Sequence, residues 1–225
     1  MTLQHGGAYA TTAGVPAQPG LPARGRAAAG AAARPVVRDL RGRAGRGPRA
    51  LTFAAGDLVV VSGLPGSGKS TLIARAAQGR GIDSQDARER WEHRVPGFLP
   101  YAVYRPLVRL AHYAGLRREL RAGRSVVVHD CGTQAWVRRW LAREARRRGT
   151  ALHLLLLDVT PRTAREGQRE RGRGVSGYAF ARHRRAVGRL VRDAERGVVP
   201  RGCASTVLLD RPAAGALARI AFRIH

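Results

Sequence analysis

The chain has 225 residues and a formal net charge of +26, from 41 basic and 15 acidic residues. Hydrophobic residues make up 44% of it, which is enough for a core of ordinary size and excludes a wholly disordered chain. Cys131 and Cys203 are too few for a disulfide framework and lack metal-site spacing, and no apolar run is long enough to span a bilayer, so we expect a soluble cytoplasmic protein.

Residues 1–50 form an extension rich in Ala, Gly, Pro and Arg, without sustained apolar periodicity. Such a segment buries too little surface to offset its ordering entropy, so we predict that it is disordered and that a folded domain occupies residues 51–225. Its arginines could bind nucleic acid or another polyanion, although no nucleic-acid motif supports this. Only one of the 41 basic residues is a lysine, a bias typical of a GC-rich genome, and we favour an inert extension.

The folded part opens with a strand, a glycine-rich loop and a helix. Residues 58–62 are apolar and mostly β-branched, which predicts a buried strand, and residues 70–77 continue as a helix after the loop. A brief extended piece is predicted at residues 81–83 and a helix at 84–93. Residues 94–106 contain three prolines and are predicted as a loop, followed by a helix over 105–121.

The second half alternates in the same way. Apolar runs predict strands at residues 125–130, 152–157 and 204–209. Thr133 is an expected N-cap for a helix to residue 148, and Thr160 with Pro161 caps a helix that reaches about residue 171. Further helices are predicted over 177–196 and from about residue 213. This alternation indicates an α/β fold with about five parallel strands and helices on both faces of the sheet.

The loop after the first strand has the pattern of a phosphate-binding site. It matches GxxxxGK[ST], for which this composition predicts only about 0.001 chance matches. The glycines let backbone N–H groups approach phosphate oxygens, and the helix N-terminus adds positive potential. Lys69, the only lysine, is expected to act on the β- and γ-phosphates of ATP, Ser70 to ligate Mg²⁺, and Thr71 to contact the α-phosphate. The nucleotide-binding residues predicted here are Gly63, Pro65, Gly66, Ser67, Gly68, Lys69, Ser70 and Thr71.

Two aspartates end predicted strands, where an open parallel sheet places its ligand-binding groups. Asp130 and Asp158 are therefore both candidates to bind the magnesium ion, and the pattern alone does not rank them. We favour Asp130 as the metal-binding residue, because in nucleotide kinases the strand that follows the segment binding the phosphate acceptor commonly lies beside the phosphate loop. Asp158 is expected to cap the turn that follows it.

Two further aspartates follow the first helix. A carboxylate at Asp83 or Asp86 could take the proton of an attacking hydroxyl group, as phosphoryl transfer to an alcohol requires. Both could instead cap the N-terminus of the next helix. Later in the chain, an arginine-rich turn over residues 168–174 could neutralise charge on the transferring phosphoryl group.

Taken in order, these pieces resemble the small P-loop kinases related to polynucleotide kinase, chloramphenicol phosphotransferase and zeta toxin, which are often catalogued as AAA-family ATPases or ATP-binding proteins. The resemblance covers about residues 56–212 and rests on GLPGSGKST, IDSQDAR, VVVHDCGTQAWVRRWL and LLLLDVTPRTAREGQRERGRG. It implies that Asp83 or Asp86 is the acceptor base. It also implies that Arg169 and Arg173 are the catalytic lid arginines, with Arg171 as an alternative.

Three functions remain open from the sequence. The first is an ATP-dependent phosphotransferase acting on a hydroxyl group of a small molecule or nucleotide, with ATP and Mg²⁺. The second is a regulatory ATPase or nucleotide-dependent switch without an acceptor of its own, and the third is a nucleic-acid-associated protein that uses the basic extension. The acceptor, the oligomeric state and the preference for ATP over GTP cannot be read from the pattern, and Arg211 is only a guess for a contact with the base.

Overall fold

A computed structural model describes residues 35–43, 46–82, 101–129, 135–172 and 174–223. The strands in these ranges are β1 (Val36–Asp39), β2 (Ala50–Ala54), β3 (Leu58–Gly63), β4 (Gly81–Ile82), β5 (Val126–His129), β6 (Leu152–Leu157), β7 (Ser205–Leu209) and β8 (Arg219–Arg223). The helices are α1 (Lys69–Ala76), α2 (Tyr101–Arg121), α3 (Ala135–Arg147), α4 (Pro161–Arg169), α5 (Gly177–Glu195) and α6 (Arg211–Ala216).

Six of the strands form one parallel sheet in the order β1-β7-β6-β3-β5-β4. The predicted α/β fold is therefore confirmed, with six strands where the apolar runs indicated about five. The apolar pattern missed β1 because three of its four residues are exposed. Its pairing with β7 holds it in the sheet. A separate parallel pair joins β2 to β8, which the sequence analysis also missed.

The central strand β3 shows why the sheet is covered on both sides. All six of its residues are buried, and successive side chains point to opposite faces. Leu58 and Val60 pack in one apolar cluster with α3 and α5, whereas Val59 and Val61 pack in another with α1 and α6. Burial on both faces favours the continuous apolar run that predicted this strand.

Two boundaries differ from the sequence predictions. The extension predicted as disordered over residues 1–50 includes β1, and Leu40 next to it is 3% exposed, so the ordered region begins earlier than residue 51. Residues 1–34 lie outside the described part of the chain. The helix α2 begins at Tyr101, four residues before the predicted start at about residue 105, and runs through Pro106. A proline inside a helix removes one backbone hydrogen bond, and the following fifteen residues of α2 continue the helix past it.

Two of the helices begin directly after a residue whose side chain caps the helix N-terminus. The Thr160 side chain accepts a hydrogen bond from the Thr163 backbone N–H, and Pro161 is the first residue of α4, as predicted. Asp210 caps α6 in the same way through the Ala213 N–H. Thr133, the N-cap expected for α3, lies outside the described residues. None of the described helices is long and apolar enough to cross a membrane.

A buried carboxylate joins two strands at the amino-terminal edge of the sheet. Asp57 is 5% exposed and accepts hydrogen bonds from the backbone N–H groups of Ala54 (2.9 Å) and Ala151 (2.8 Å), and its Oδ2 lies 3.1 Å from His153 Nε2. Burial by itself would raise the pKa of Asp57, but the contacts with His153, Ala151 and Ala54 outweigh it and hold the pKa below its usual range.

We expect Asp57→Asn to lower the free energy of unfolding at pH 7 by about 2 kcal/mol, because an amide replaces a carboxylate that accepts several hydrogen bonds. Because the pKa of Asp57 is lower in the folded state, its charged carboxylate stabilises the fold at pH values above the unfolded pKa of about 4. This contribution is lost as the pH falls through the pKa of the folded state. Urea unfolding from pH 7 to pH 3 should therefore show the difference between the two proteins narrowing below about pH 4. A difference that stays constant over this range would show that Asp57 stabilises the fold without its charge.

Candidate nucleotide-binding site

The predicted phosphate loop leaves the carboxyl end of β3, in the middle of the sheet. β5 pairs on one side of β3 and β6 on the other, so that Gly63 lies beside Leu157 at the end of the strand. Gly68 has a φ of 93° at the N-cap of α1, and Gly66 has a φ of 85°, both in the left-handed region that favours glycine. The strand, loop and helix that the motif requires are therefore all present.

Lys69 is buried inside this loop. Its side chain is 5% exposed, and its Nζ donates hydrogen bonds to the backbone oxygens of Gly63 (3.0 Å) and Leu64 (2.7 Å). An ammonium group removed from water requires acceptors, and phosphate oxygens are stronger acceptors than carbonyl oxygens. The ammonium group of Lys69 is thus held inside the loop, and an anion bound there could take the place of the two backbone oxygens as its hydrogen-bond acceptor.

The neighbouring hydroxyl groups fit a phosphate ligand as well. The Oγ atom of Ser67 is buried and has no hydrogen-bond partner among the described residues. A buried hydroxyl without a partner costs free energy, which an anion in the loop would recover by accepting a hydrogen bond from it. Ser70 is half-buried at the second position of α1, and Thr71 after it is exposed.

The loop packs closely against α4, which lies about a hundred residues later in the chain. A Cβ atom on Gly66 would lie 2.0 Å from the backbone oxygen of Ala164, and a Cβ atom on Gly167 would lie 2.6 Å from the backbone oxygen of Gly66. The two backbones approach so closely because both positions lack a side chain. The sequence analysis missed Gly167, which carries no motif of its own.

Gln168 connects the loop to the segment after α4. Its Nε2 donates a hydrogen bond to the backbone oxygen of Pro65 (3.0 Å), and its Oε1 accepts one from the backbone N–H of Val175 (3.0 Å). One side chain thus links the phosphate loop to the arginine-rich turn predicted as a lid. Sequence reasoning included Gln168 in that turn but assigned no function to it.

The lid arginines separate into different environments. Arg171 lines the cavity beside the phosphate loop, and its Nη2 donates a hydrogen bond to the Oγ1 of Thr71 (2.9 Å). Arg169, which the resemblance favoured, is exposed like Arg171 but lines a second cavity on the side of Phe180. Arg173 lies outside the described residues. The arrangement therefore favours Arg171, the alternative that the resemblance left open.

The cavity beside the loop has a volume of about 170 Å³. Arg75 lies at its margin and donates hydrogen bonds to the backbone oxygens of Ala214 and Leu217, which ties α1 to α6. Arg211, the residue guessed for a contact with the base, also lines this cavity. The remaining lining combines glycine, apolar, hydroxyl-bearing and charged residues: Gly66, Ser67, Gly68, Thr71, Leu72, Leu157, Gly167, Glu170, Arg171, Ala214 and Gly215.

The predicted acidic residues have different outcomes. Asp83, Asp86 and Asp130 lie outside the described residues, so their assignments stay predictions. Asp158, the competing metal ligand, follows β6 and accepts a hydrogen bond from Arg41 at 2.6 Å. The expected turn cap is therefore replaced by an ion pair. In the described ranges, no group of three or more His, Cys, Asp or Glu residues could hold a metal ion.

Arg41 contacts three carboxylates, and Asp158 is one of them. Its guanidinium group also lies 2.7 Å from Asp39 and 2.9 Å from Glu195. The hydrogen bond from Arg41 lowers the pKa of Asp39, although partial burial opposes the shift. Because Arg41 follows β1, this ion-pair cluster fastens the first strand to the carboxyl-terminal edge of the sheet and gives Asp158 a structural role.

Comparisons with known proteins identify the domain. A family model described as an AAA domain matches residues 58–196. A protein of Chloroflexus aurantiacus described as a candidate kinase has 18% identity and a TM-score of 0.49, over 69% of this chain and 85% of that chain. The gluconokinase of Sinorhizobium meliloti 1021 has 21% identity and a TM-score of 0.40, over 73% of this chain and 93% of that chain. The tunicamycin resistance protein of Deinococcus radiodurans has 13% identity and a TM-score of 0.39, over 64% of this chain and 84% of that chain. None of the curated proteins searched matches the chain.

Proposed function

Since the chain belongs to the AAA domain family and carries a formed phosphate loop, we propose that it transfers the γ-phosphate of ATP to a hydroxyl group of a small molecule or nucleotide. The family match confirms the resemblance inferred from the motifs. The observation that carries the proposal is that Lys69 lies buried inside the loop while a second cation, Arg171, donates a hydrogen bond to Thr71 two residues later. One cation inside a phosphate loop and a second beside it suit the neutralisation of charge during phosphoryl transfer.

The residues of this chain would hold the nucleotide as follows. Backbone N–H groups of the loop and the hydroxyl of Ser67 would bind phosphate oxygens, and Lys69 would neutralise the charge that develops on the β- and γ-phosphates. Magnesium ATP, when bound, supplies the transferable phosphoryl group and part of the charge neutralisation. Ser70 and Asp130 are the residues proposed to hold the metal ion.

The acceptor side of the reaction needs a base. A bond would form between the acceptor oxygen and the γ-phosphorus while the bond from that phosphorus to the bridging oxygen breaks. The proton of the acceptor hydroxyl would pass to the carboxylate of Asp83 or Asp86, and the two remain alternatives. Arg171 would stabilise the negative charge on the phosphoryl oxygens during this step.

The experiment that tests the proposal is transfer of γ-labelled phosphate from ATP to a pool of nucleosides, oligonucleotides with a free 5′-hydroxyl, aminoglycosides and other alcohols. Labelled product that is absent with the Lys69→Ala variant would support the kinase and identify its acceptor class. If only free phosphate is released, again dependent on Lys69, the protein is an ATPase or a nucleotide-dependent switch. Binding of ATP without any turnover would contradict the proposed reaction.

Arg171→Ala should lower kcat for phosphoryl transfer by about a hundredfold, because it removes the arginine that lines the cavity beside the phosphate loop. Arg169→Ala is the matched control: it removes the same side chain two residues earlier, where the arginine lines the other cavity. Steady-state kinetics of the two variants against saturating ATP distinguish them. A larger loss in Arg169→Ala would return the lid assignment to Arg169, and equal losses would contradict the preference for Arg171.

A further inference from the structure

Two neighbouring helices cover one face of the sheet. Both α3 and α5 bury their apolar residues in the same core cluster, which includes Val137 and Leu141 from α3 and Val187 and Leu190 from α5. Because these side chains face the strands, the opposite side of each helix faces the solvent. The residues on that outer side have no role in the core or in the nucleotide site.

The outer side of each helix carries a line of arginines. The spacing alternates between three and four residues, which places successive side chains one above another on a helix. All of these arginines are exposed, and none of them makes an ion pair with another described residue. They are Arg139, Arg143 and Arg146 on α3, and Arg182, Arg185, Arg189 and Arg192 on α5.

This arrangement places like charges next to each other, at a cost to helix stability of about 0.2–0.5 kcal/mol for each neighbouring pair. On α4, where Arg162, Arg165 and Arg169 follow the same spacing, the ion pair between Arg162 and Glu166 at 3.1 Å offsets part of this cost. Glu195, three residues after Arg192, is already bound to Arg41. A general bias toward arginine explains the residue type, but the lines on α3 and α5 differ from the one on α4 because no ion pair within the described residues offsets their charge.

Each line begins with an exposed aromatic side chain. Tyr178 is 80% exposed and lies four residues before Arg182, and Trp136 is 48% exposed and lies three residues before Arg139. Tyr178 projects into solvent, whereas Trp136 lies against Tyr113, with 5.3 Å between the ring centroids, and keeps about half of its surface exposed. Placed beside arginines, they offer flat surfaces on which the bases of a nucleic acid stack.

We propose that the outer surface of α3 and α5 binds single-stranded nucleic acid. The four arginines on α5 span about 15 Å along the helix, a length over which one strand of nucleic acid carries about four phosphates. Tyr178 and Trp136 would stack with unpaired bases at the start of the two lines, which a duplex does not expose. A lipid surface suits this face less, since binding there needs a large apolar helix face and the apolar faces of α3 and α5 are buried in the core. The inference goes beyond the phosphotransferase proposal and does not depend on it.

Binding of a fluorescently labelled 20-nucleotide single strand to the full chain, followed by anisotropy over a series of salt concentrations, tests the proposal. Replacing Arg182, Arg185, Arg189 and Arg192 by Gln should weaken binding at least about tenfold and reduce the salt slope by about 3, because four phosphate contacts are lost. Tyr178→Ala should weaken binding about tenfold without changing the slope, since stacking releases no counterions.

A control variant removes the same charge from the other side of the molecule by replacing four exposed arginines, Arg49, Arg80, Arg219 and Arg223, by Gln. Circular dichroism confirms that all variants are folded. An equal loss of affinity in the control variant would overturn the proposal, because net charge alone would then account for binding. Equal affinity for a duplex of the same length, or for vesicles of anionic lipid, would overturn it as well.

Discussion

Lys69→Ala should lower the rate of phosphoryl transfer by about 10²- to 10³-fold. The side chain is 5% exposed and its Nζ bonds to the oxygens of Gly63 and Leu64, so the charge is held inside the loop before any ligand arrives. A positioned cation in a site shielded from water stabilises developing negative charge without reorganisation, and removing one such group costs a factor of this size. Single-turnover transfer with labelled ATP measures the loss directly.

The control for Lys69→Ala is Arg162→Ala, which removes a positive charge from the exposed ion pair on α4. An exposed ion pair of this kind contributes little to stability, so the control should keep nearly full activity. Because Lys69 is the only lysine, acylation of lysine side chains reports on this one position, and bound ATP should slow it. Transfer within about tenfold of the wild-type rate in Lys69→Ala would show that the reacting phosphates lie elsewhere.

Gly167→Ala should weaken ATP binding by about tenfold or more, although position 167 lies in a helix where alanine is ordinarily favoured. Its new Cβ atom would lie 2.6 Å from the backbone oxygen of Gly66, so either the phosphate loop or α4 must move. Overpacking of this kind costs about 1–3 kcal/mol, and the displaced loop would lose part of its contacts with phosphate. Calorimetric titration with ATP and urea unfolding measure the two effects separately.

Gly115→Ala provides the comparison for Gly167→Ala. Gly115 also lies in a helix, α2, but a Cβ atom there meets nothing within 4 Å. This variant should bind ATP as the wild type does and be as stable or slightly more stable, because alanine restricts the unfolded chain. If Gly167→Ala also binds ATP normally, the close approach of α4 does not position the phosphate loop.

The strands of the main sheet show where sequence reasoning succeeds and where it stops. β3, β6 and β7 are buried on both faces, and their apolar runs predicted them to within about a residue. β1 is mostly exposed and contains charged residues, so its sequence resembles the extension around it, and only its pairing with β7 makes it a strand. The same reason applies to β8, whose partner β2 lies about 170 residues earlier.

Eight neighbouring residues are enough to predict the phosphate loop. Its pattern of glycine, lysine and serine at fixed spacing lies within one short segment, so the prediction requires no knowledge of contacts with distant residues. The sequence by itself also determined the α/β class, through apolar runs that alternate with helical segments. The surroundings of the loop depend on residues about a hundred positions away. Gly167, Gln168 and Arg171 contact it only because the register of β6 against β3 places α4 beside it. Such contacts arise from packing between distant segments, and only the tertiary structure distinguished Arg171 from Arg169.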